Sequence, residues 1–239
     1  MLITGFPAGM FQTNCYLVAT AAGAEAIIVD PGQDAAPRVR ELLAEHRLTP
    51  VAVLLTHGHL DHTWNAAELC DEFSIPAYIH PDDRPMLADP AVGLGPALGP
   101  MIGSLTFREP AKVIEFADGE TVEVAGLSLA VDHAPGHTQG SVLLTLDVPA
   151  VDAGGAQGHT VPVCFSGDVL FSGSIGRTDL PGGNHQQLLD SIARQLLTRS
   201  DGTQVLPGHG PQTSIGAERA GNPFLADLGA DSKKGRFGL

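Results

Sequence analysis

Short apolar runs recur along most of the chain, and turn-forming residues separate them. This pattern is typical of β-strands. The predicted strands cover residues 14–19, 26–30, 51–55, 77–79, 127–132, 141–146 and 161–165.

Fewer segments show the spacing of an α-helix. The clearest covers residues 184–197, where Leu188, Ile192 and Leu196 recur at helical intervals. The predicted helices cover residues 36–46, 63–73, 81–88 and 184–197. A β-α-β-like alternation comes first, and hairpin-like strands follow from about residue 113. We therefore predict an α/β (α+β) fold of packed sheets covered by helices, in a single domain spanning residues 1–239.

Two segments do not fit this periodicity. Residues 90–106 are rich in Gly, Pro and apolar residues, and they suit either a lip over a site or a plain surface connection. The tail at about residues 228–239 is expected to fray.

Composition narrows the class of protein. Hydrophobic residues make up 43% of the chain and charged residues 17%, which suits a compact globular protein. The formal net charge of -14, with only 13 Lys and Arg residues, disfavours nucleic acid as a partner. Neither an export signal nor a long apolar stretch is evident, so we expect no membrane partner and a cytoplasmic location. The three widely spaced cysteines are expected to be buried free thiols.

The strongest chemical signal is the segment THGHLDH, which runs from Thr56 to His62 directly after a predicted strand. Residues two apart project to the same side of extended backbone, so His57 and His59 can hold one ion. Asp61 and His62 lie beyond a short turn and can face a neighbouring ion. A polar run that merely begins a helix would leave the crowding of three imidazoles unexplained.

Three later segments place a metal-binding residue beside glycine after an apolar run. They read PGHT around His137, SGD ending at Asp168, and PGHG around His209. Glycine allows the sharp turns and close backbone approach that converging loops require. Each segment alone would be an ordinary turn, but together with the first motif they indicate a site for two metal ions.

The chemistry of such a site follows from its charges. Five neutral imidazoles, two carboxylates and two divalent cations leave a formal charge of about +2, so a water shared by the ions loses a proton near neutral pH. This charge predicts a hydroxide nucleophile. Zinc suits these ligands best, although iron and manganese fit them too.

These motifs resemble the metallo-β-lactamase superfamily, whose members share an αββα sandwich with the metal site at one edge of two sheets. All seven positions of its ligand pattern are filled here. The resemblance implies that Asp61 and Asp168 are catalytic, because Asp61 orients the hydroxide and Asp168 bridges the ions. It implies a first ion held by His57, His59 and His137, and a second held by Asp61, His62 and His209.

Finer details are similar to the type II glyoxalase (hydroxyacylglutathione hydrolase) branch, which hydrolyses thioesters of hydroxy acids. The supporting segments are TNCYLV at residues 13–18, SGDVLF at residues 166–171 and GRTDLPGG at residues 176–183. Persulfide dioxygenases also carry a GRTD run, but there a Phe-Gln pair usually follows, where this chain has Leu180 and Pro181. The resemblance implies a small-molecule thioester substrate.

One departure concerns the thiol of that substrate. The longer type II glyoxalases continue after the last histidine ligand into a helical domain that helps to bind glutathione, whereas 30 residues follow His209 here. We expect that domain to be absent, so glutathione is not assigned as the thiol. The acyl group and the oligomeric state also remain open.

Three other functions remain as alternatives. One is persulfide oxidation at a single iron, and another is lactone or β-lactam hydrolysis. The third, a non-catalytic metal-dependent binding protein, is disfavoured because all seven ligand positions are filled.

Several residues near the motifs have weaker signals. His133 precedes His137 by four residues and is a candidate for orienting it, although an ordinary surface role is favoured. His80 is expected to be an ordinary surface or capping residue, and Trp64 is expected to pack beneath the site. An ion pair between Arg177 and Asp179 is expected to shape the loop after Asp168.

Overall fold

A computed structural model describes residues 1–98, 103, 105–151, 157–226 and 228. Residues 99–102 and 104, which belong to the proposed lip, lie outside the described residues, and so do residues 229–239 of the tail. The expectations for those residues stay predictions. Within the described part, no helix is long and apolar enough to span a membrane.

Two six-stranded sheets form the centre of the fold. The first has the order β1-β2-β3-β4-β5-β6; its first two pairings are antiparallel and the other three are parallel. Its strands are β1 (Leu2–Ala8), β2 (Thr13–Ala19), β3 (Glu25–Val29), β4 (Thr49–Leu54), β5 (Ala77–Ile79) and β6 (Val113–Glu115).

The second sheet has the order β14-β13-β10-β9-β8-β7, and only the β10–β13 pairing is parallel. Its strands are β7 (Thr121–Val124), β8 (Leu127–His133), β9 (Val142–Val151), β10 (Gln157–Gly167), β13 (Gln204–Pro207) and β14 (Thr213–Ser214). A small hairpin of β11 (Leu170–Phe171) and β12 (Ser174–Ile175) lies between β10 and β13 in the sequence.

Helices connect and cover the strands. They are α1 (Ala35–His46), α2 (Leu60–Thr63), α3 (Ala66–Phe73), α4 (Pro85–Ala88), α5 (Ala91–Leu98), α6 (His185–Ser191) and α7 (Ile215–Gly221). A π-helical turn (Ile192–Leu196) extends α6, and a 3₁₀ turn (Pro223–Leu225) follows α7. Helix α5 is kinked at Gly95.

The strands bury side chains on both faces. In β3, Ile27 and Val29 point into the core between the two sheets, whereas Ile28 points into the core beneath α1 and α3. Leu188 of α6 packs on the outer face of the second sheet, in a third core. Two sheets with helices on both outer faces form the predicted αββα sandwich, and that prediction is confirmed. All three cysteines are buried and free, also as predicted.

Several predicted elements differ in extent. The helix predicted at residues 63–73 is interrupted at Trp64 and Asn65, because Asn65 uses its backbone N–H and its side-chain oxygen to bind the chain near α1. The helix predicted at residues 81–88 is shorter, and the one at residues 184–197 ends in the π-helical turn. Seven strands of the described part had no predicted bounds: β1, β6, β7, β11, β12, β13 and β14. Apart from the β11–β12 hairpin, they lie at or next to sheet edges, and β6 and β7 fall in the block from about residue 113 that was predicted to hold hairpin-like strands.

Strand direction determines where the ligand segments meet. Strand β8 is antiparallel to β9, β9 is antiparallel to β10, and β10 is parallel to β13. Strands β8, β10 and β13 therefore run in the same direction, and the segments that follow them emerge at the same edge of the second sheet.

Candidate metal centre

All seven predicted side chains meet at this edge. The segment after β4 contributes four of them, and the turns after β8, β10 and β13 contribute one each. Their donor atoms form three overlapping groups in which all atoms lie within 4.8 Å of one another: His57, His59 and His137; His57, His62 and Asp168; and Asp61, His62 and His209.

The first group consists of three buried imidazoles. Nε2 of His137 lies 2.9 Å from Nδ1 of His59 and 3.3 Å from Nε2 of His57. Ligand nitrogens at 2.0–2.1 Å around a tetrahedral zinc ion are about 3.3 Å apart. The observed spacing therefore suits three nitrogens that share one cation.

The other two groups each contain one carboxylate, and we call Asp61, His62, Asp168 and His209 together the second group. Oδ2 of Asp61 lies 3.2 Å from Nε2 of His209 and 3.5 Å from Nε2 of His62. One oxygen of Asp168 lies 3.3 Å from His62, and the other lies 3.5 Å from His209 and 3.6 Å from His137. Asp168 thus lies between the first group and the rest of the second group, where a bridging ligand would lie.

Two buried atoms at the centre of the cluster test whether a metal fits. Nε2 of His62 and Oδ1 of Asp168 are inaccessible to water and, although they lie 3.3 Å apart, neither makes a hydrogen bond of good geometry. Burying a polar atom without a partner costs about 1–3 kcal/mol. A divalent cation that displaces the His62 proton would satisfy both atoms. The donor set therefore fits metal ions.

The ionisation states suit metal binding in the first group. Burial, followed by the neighbouring imidazoles, holds the pKa of His57 well below its usual range and lowers the pKa of His59 to about 3. Both rings are therefore neutral near pH 7, and each keeps a lone pair for a cation.

Opposite charges dominate the second group. Burial alone would raise the pKa values of Asp61 and Asp168, but the neighbouring histidines, His62 first, hold both below the ordinary value. Burial alone would lower the pKa values of His62 and His209, and the surrounding carboxylates raise both instead. Without metal, the second group is a network of charge pairs.

Asp30 and Thr56 orient two of the imidazoles. Oδ2 of Asp30 accepts a 2.6 Å hydrogen bond from the Thr56 hydroxyl and lies 3.0 Å from Nδ1 of His62. The same hydroxyl lies 3.1 Å from Nδ1 of His57. Such outer partners set ring orientation and tautomer at metal sites. Asp30 directly follows the buried strand β3, just as the candidate ligands follow strands. This position after a strand is the sequence signal that could have identified Asp30.

Asp83 connects the two loops that carry the three-histidine group. Its side chain is fully buried and accepts hydrogen bonds from the N–H of Gly58 at 2.8 Å, the N–H of Gly140 at 2.8 Å and the hydroxyl of Thr138 at 2.6 Å. Burial raises its pKa, and these donors counteract the rise. Sequence reasoning missed Asp83, because its partners lie 25 to 57 residues away and no local spacing marks it.

Comparison with known proteins identifies the family. A profile described as the metallo-β-lactamase superfamily matches residues 8–150. The chain belongs to this superfamily. The match includes His57 to His137 and ends before Asp168 and His209. With the clustered His and Asp donors, membership makes the chain a metal-dependent hydrolase of the metallo-β-lactamase superfamily.

Two relatives are similar along almost their whole length. An uncharacterized protein from Mycobacterium tuberculosis is 50% identical over 229 residues, which is 95% of this chain and 99% of the relative. The hydroxyacylglutathione hydrolase GloC of Haemophilus influenzae is 34% identical over 230 residues, covering 94% of this chain and 98% of the relative.

Solved structures of the superfamily have the same fold. BLEG-1, a B3 metallo-β-lactamase, is 39% identical with a TM-score of 0.79, covering 94% of this chain and 100% of its own. TTHA1623 in a di-iron-bound form is 35% identical with a TM-score of 0.73 and coverages of 93% and 100%. ETHE1 from Myxococcus xanthus is 27% identical with a TM-score of 0.71 and coverages of 93% and 84%.

Glycine permits close packing beside the candidate ligands of this superfamily member. A Cβ atom at Gly208 would lie 2.2 Å from Oδ1 of Asp168 and 2.5 Å from Cε1 of His62. At Gly136, φ is 137° and a Cβ atom would lie 2.2 Å from the backbone nitrogen of Leu188. The expectation that glycine permits close approach at these turns is confirmed.

His209 is held by the first strands. Its Nδ1 lies 3.1 Å from the carbonyl oxygen of Phe11, and the side chain of Asn14 donates to the carbonyls of Pro207 and Gly210 at 3.0 and 2.9 Å. The TNCYLV segment thus binds the loop that carries the last candidate ligand.

His133 does not contact the candidate ligands. Its Nε2 lies 2.7 Å from the carbonyl oxygen of Gln139, and its ring stacks on His80 with centroids 4.2 Å apart. A role in orienting His137 is therefore not supported. His80 is only 9% exposed, so the surface alternative was wrong, but its Nδ1 accepts a hydrogen bond from the N–H of Asp82 at 3.3 Å, which fits the capping alternative.

A cavity of about 800 Å³ opens onto the cluster. Five of the candidate ligands reach its floor: His59, Asp61, His137, Asp168 and His209. Trp64 lines the wall of this cavity and packs edge-to-face on Phe107. It therefore lies beside the site, whereas it was expected to lie beneath it. Arg177 also lines the cavity and forms the predicted ion pair with Asp179 through two contacts of 2.7 and 2.8 Å.

Proposed function

We propose that the protein hydrolyses thioesters of small hydroxy acids at this centre. The supporting observation is that the described cavity lining holds no general acid, outside the candidate ligands, that could protonate a poor leaving group. Among the described residues that line the cavity, every ionisable side chain except Arg177 belongs to the candidate ligand set. A thiol has a pKa near 8.5, so a thiolate leaves without protonation, whereas the amine released from a β-lactam must be protonated.

The similarity to relatives is compatible with thioester hydrolysis but does not distinguish it from β-lactam hydrolysis. Relatives of comparable similarity are named as a hydroxyacylglutathione hydrolase and as a B3 metallo-β-lactamase. The proposal therefore depends on the chemistry of the cavity floor.

The seven side chains have distinct proposed roles. His57, His59 and His137 would hold one divalent ion, Asp61, His62 and His209 a second, and Asp168 would bridge them. When bound, the two ions supply an acidified water and a polarising charge for the substrate carbonyl. Asp61 accepts a 3.0 Å hydrogen bond from the Thr13 hydroxyl, which fixes the oxygen that also faces His209. We expect Asp61 to orient the water toward the carbonyl carbon.

Zinc is the proposed metal, because imidazole and carboxylate ligands suit it. The di-iron form of TTHA1623 makes iron the specific alternative. Metal analysis of protein purified without added metals identifies the ions, and the proposal requires two per chain.

The first test is thiol release from acyl thioesters, including lactoylglutathione, by metal-loaded protein and by metal-stripped protein. Fast release that requires metal supports the proposal. The Asp168→Ala variant should lose metal and turnover together. Asp190→Ala, which removes an exposed carboxylate on α6, should behave as the wild type.

The same preparation should be assayed for the alternative reactions. Oxygen uptake with a thiol persulfide and one iron per chain would replace the proposal with persulfide oxidation. Hydrolysis of β-lactams or lactones without any thioesterase activity would replace it with that reaction. Tight binding of an intact thioester without turnover would indicate a binding protein.

A further inference from the structure

The cavity above the candidate metal centre has largely apolar walls. Nine hydrophobic side chains line it beyond the ligands. They are Met10, Phe11, Leu60, Trp64, Leu94, Leu105, Phe171, Ile175 and Leu180. Gln33, Ser174 and Arg177 complete the described lining. We call the nine hydrophobic residues the apolar wall.

Three of the nine residues of the apolar wall are exposed to water. Met10, Phe11 and Leu105 are 67%, 42% and 56% exposed, and they are half of the six large exposed hydrophobic side chains among the described residues. Contiguous exposed apolar surface at a cavity usually marks a ligand-binding surface. The wall is therefore poised to bury apolar surface of a substrate.

The walls offer little to an anionic substrate. Arg177 is the only Lys or Arg side chain among the described lining residues. Its Nε and Nη2 already donate to the carboxylate of Asp179. Glutathione carries two carboxylates, and each would need a cationic or N–H partner to be bound in a largely apolar cavity.

Separate segments build the wall, so it encloses a defined volume. Leu94 comes from α5, and Leu180 comes from the loop after β12. The two segments approach closely, since a Cβ atom at Gly95 would lie 3.3 Å from Cδ of Pro181. A cavity of about 800 Å³ has room for a group much larger than a lactoyl unit.

We propose that the preferred substrate is a thioester carrying a bulky apolar group, at least the size of a phenyl ring, and that this group occupies the apolar wall. The inference rests on the proposed thioesterase function and specifies its substrate class. The apolar group can belong to the acyl part or to the thiol, and the experiment separates the two sources.

Four thioesters provide the kinetic test. Lactoyl esters of glutathione, N-acetylcysteamine and benzyl mercaptan vary the thiol, and mandeloylglutathione places a phenyl group on the acyl part. Each kcat/KM is divided by the hydroxide rate constant of the same ester, which removes differences in intrinsic reactivity. We expect at least a tenfold preference, about 1.4 kcal/mol, for the benzyl over the N-acetylcysteamine ester, or for mandeloyl over lactoylglutathione.

Binding can be measured separately from turnover. Trp64 is the single tryptophan of the chain and lines the cavity, so its fluorescence reports occupancy. We expect the thioether S-benzyl-N-acetylcysteamine, which cannot be hydrolysed, to bind at least tenfold more tightly than its S-methyl analogue.

Two matched variants on α5 locate the effect. Leu94 lines the cavity, whereas Val92 is 50% exposed and is not among the lining residues. Leu94→Asn should reduce the benzyl preference at least threefold, and Val92→Asn should leave it unchanged. Leu180→Asn tests the wall from the other segment, in case Leu94→Asn perturbs α5.

The outcomes distinguish failure of the apolar-substrate inference from failure of the proposed thioesterase function. Thioester hydrolysis without preference for either phenyl-bearing ester, or with lactoylglutathione as the best substrate, overturns the apolar-substrate inference alone. No hydrolysis of any ester overturns the proposed function. An apolar preference that survives both Leu94→Asn and Leu180→Asn overturns the assignment to the apolar wall.

Discussion

Replacing Asp83 with asparagine tests how the fold supports the three-histidine group. Asparagine has the same shape and retains one acceptor oxygen. In the position of Oδ2, that oxygen keeps the bonds from Gly58 and Thr138, and the new amide NH₂ then faces the N–H of Gly140. One hydrogen bond to a charged acceptor is replaced by two opposed donors.

The structure sets the expected magnitude. A hydrogen bond to a charged group contributes about 1.5–3 kcal/mol, and Asp83 is fully buried, so we expect a loss near 2 kcal/mol. For a chain of 239 residues, this loss corresponds to a Tm decrease of about 4–8 °C. Because Gly58 lies between His57 and His59, we also expect metal affinity to fall about 10- to 100-fold.

Thermal unfolding and chelator competition measure the two effects of Asp83→Asn. Its matched control is Asp82→Asn, since the side chain of Asp82 is 57% exposed and does not contact the two loops. Asp82→Asn should retain wild-type values. If Asp83→Asn unfolds and releases metal under the same conditions as Asp82→Asn, the role assigned to Asp83 is wrong.

Two further predictions concern the second group of ligands. The raised pKa values of His62 and His209 mean that metal-free protein retains protons there near pH 7, and a cation must displace them. Metal uptake should therefore release protons, and metal affinity should increase as the pH rises. Titration calorimetry in buffers of different ionisation enthalpy measures the proton release. Identical heats of binding in all buffers would count against it. Gly208→Ala should abolish binding of the second metal, because the added methyl group overlaps Asp168. Gly202→Ala, at a position with open space, should bind two metals, and equal metal content in the two variants would contradict the steric argument.

The sequence predicted the central strands because their apolar runs are long. Residues of β3 and β4 are buried on both faces, one against the other sheet and one against α1 and α3, so nearly every position is apolar. Edge strands lack this signal. Strand β1 contains Gly5 and Pro7, and β6 reads VIE with only two apolar residues, so neither produced a recognisable run.

Helix boundaries depended on contacts that local spacing does not reveal. The break at Asn65 serves contacts to Pro31 and Ala36, which lie about 30 residues earlier. The π-helical turn after α6 likewise lies where Ile192 and Leu196 pack into the third core. Periodicity placed these helices but could not place their ends, since tertiary contacts decide whether a helical turn continues.

The sequence by itself predicted the donor set of the candidate centre: seven His and Asp residues, each after a strand and most beside glycine, which the structure brings together. Tertiary structure alone decided what supports and surrounds it, including the Asp83 bridge between two loops, the Asp30 contact to His62 and the apolar wall of the cavity. The physical reason is range. Ligand type and turn geometry are properties of a few consecutive residues, whereas a buried hydrogen bond or a cavity wall joins segments whose approach only the packed sheets define.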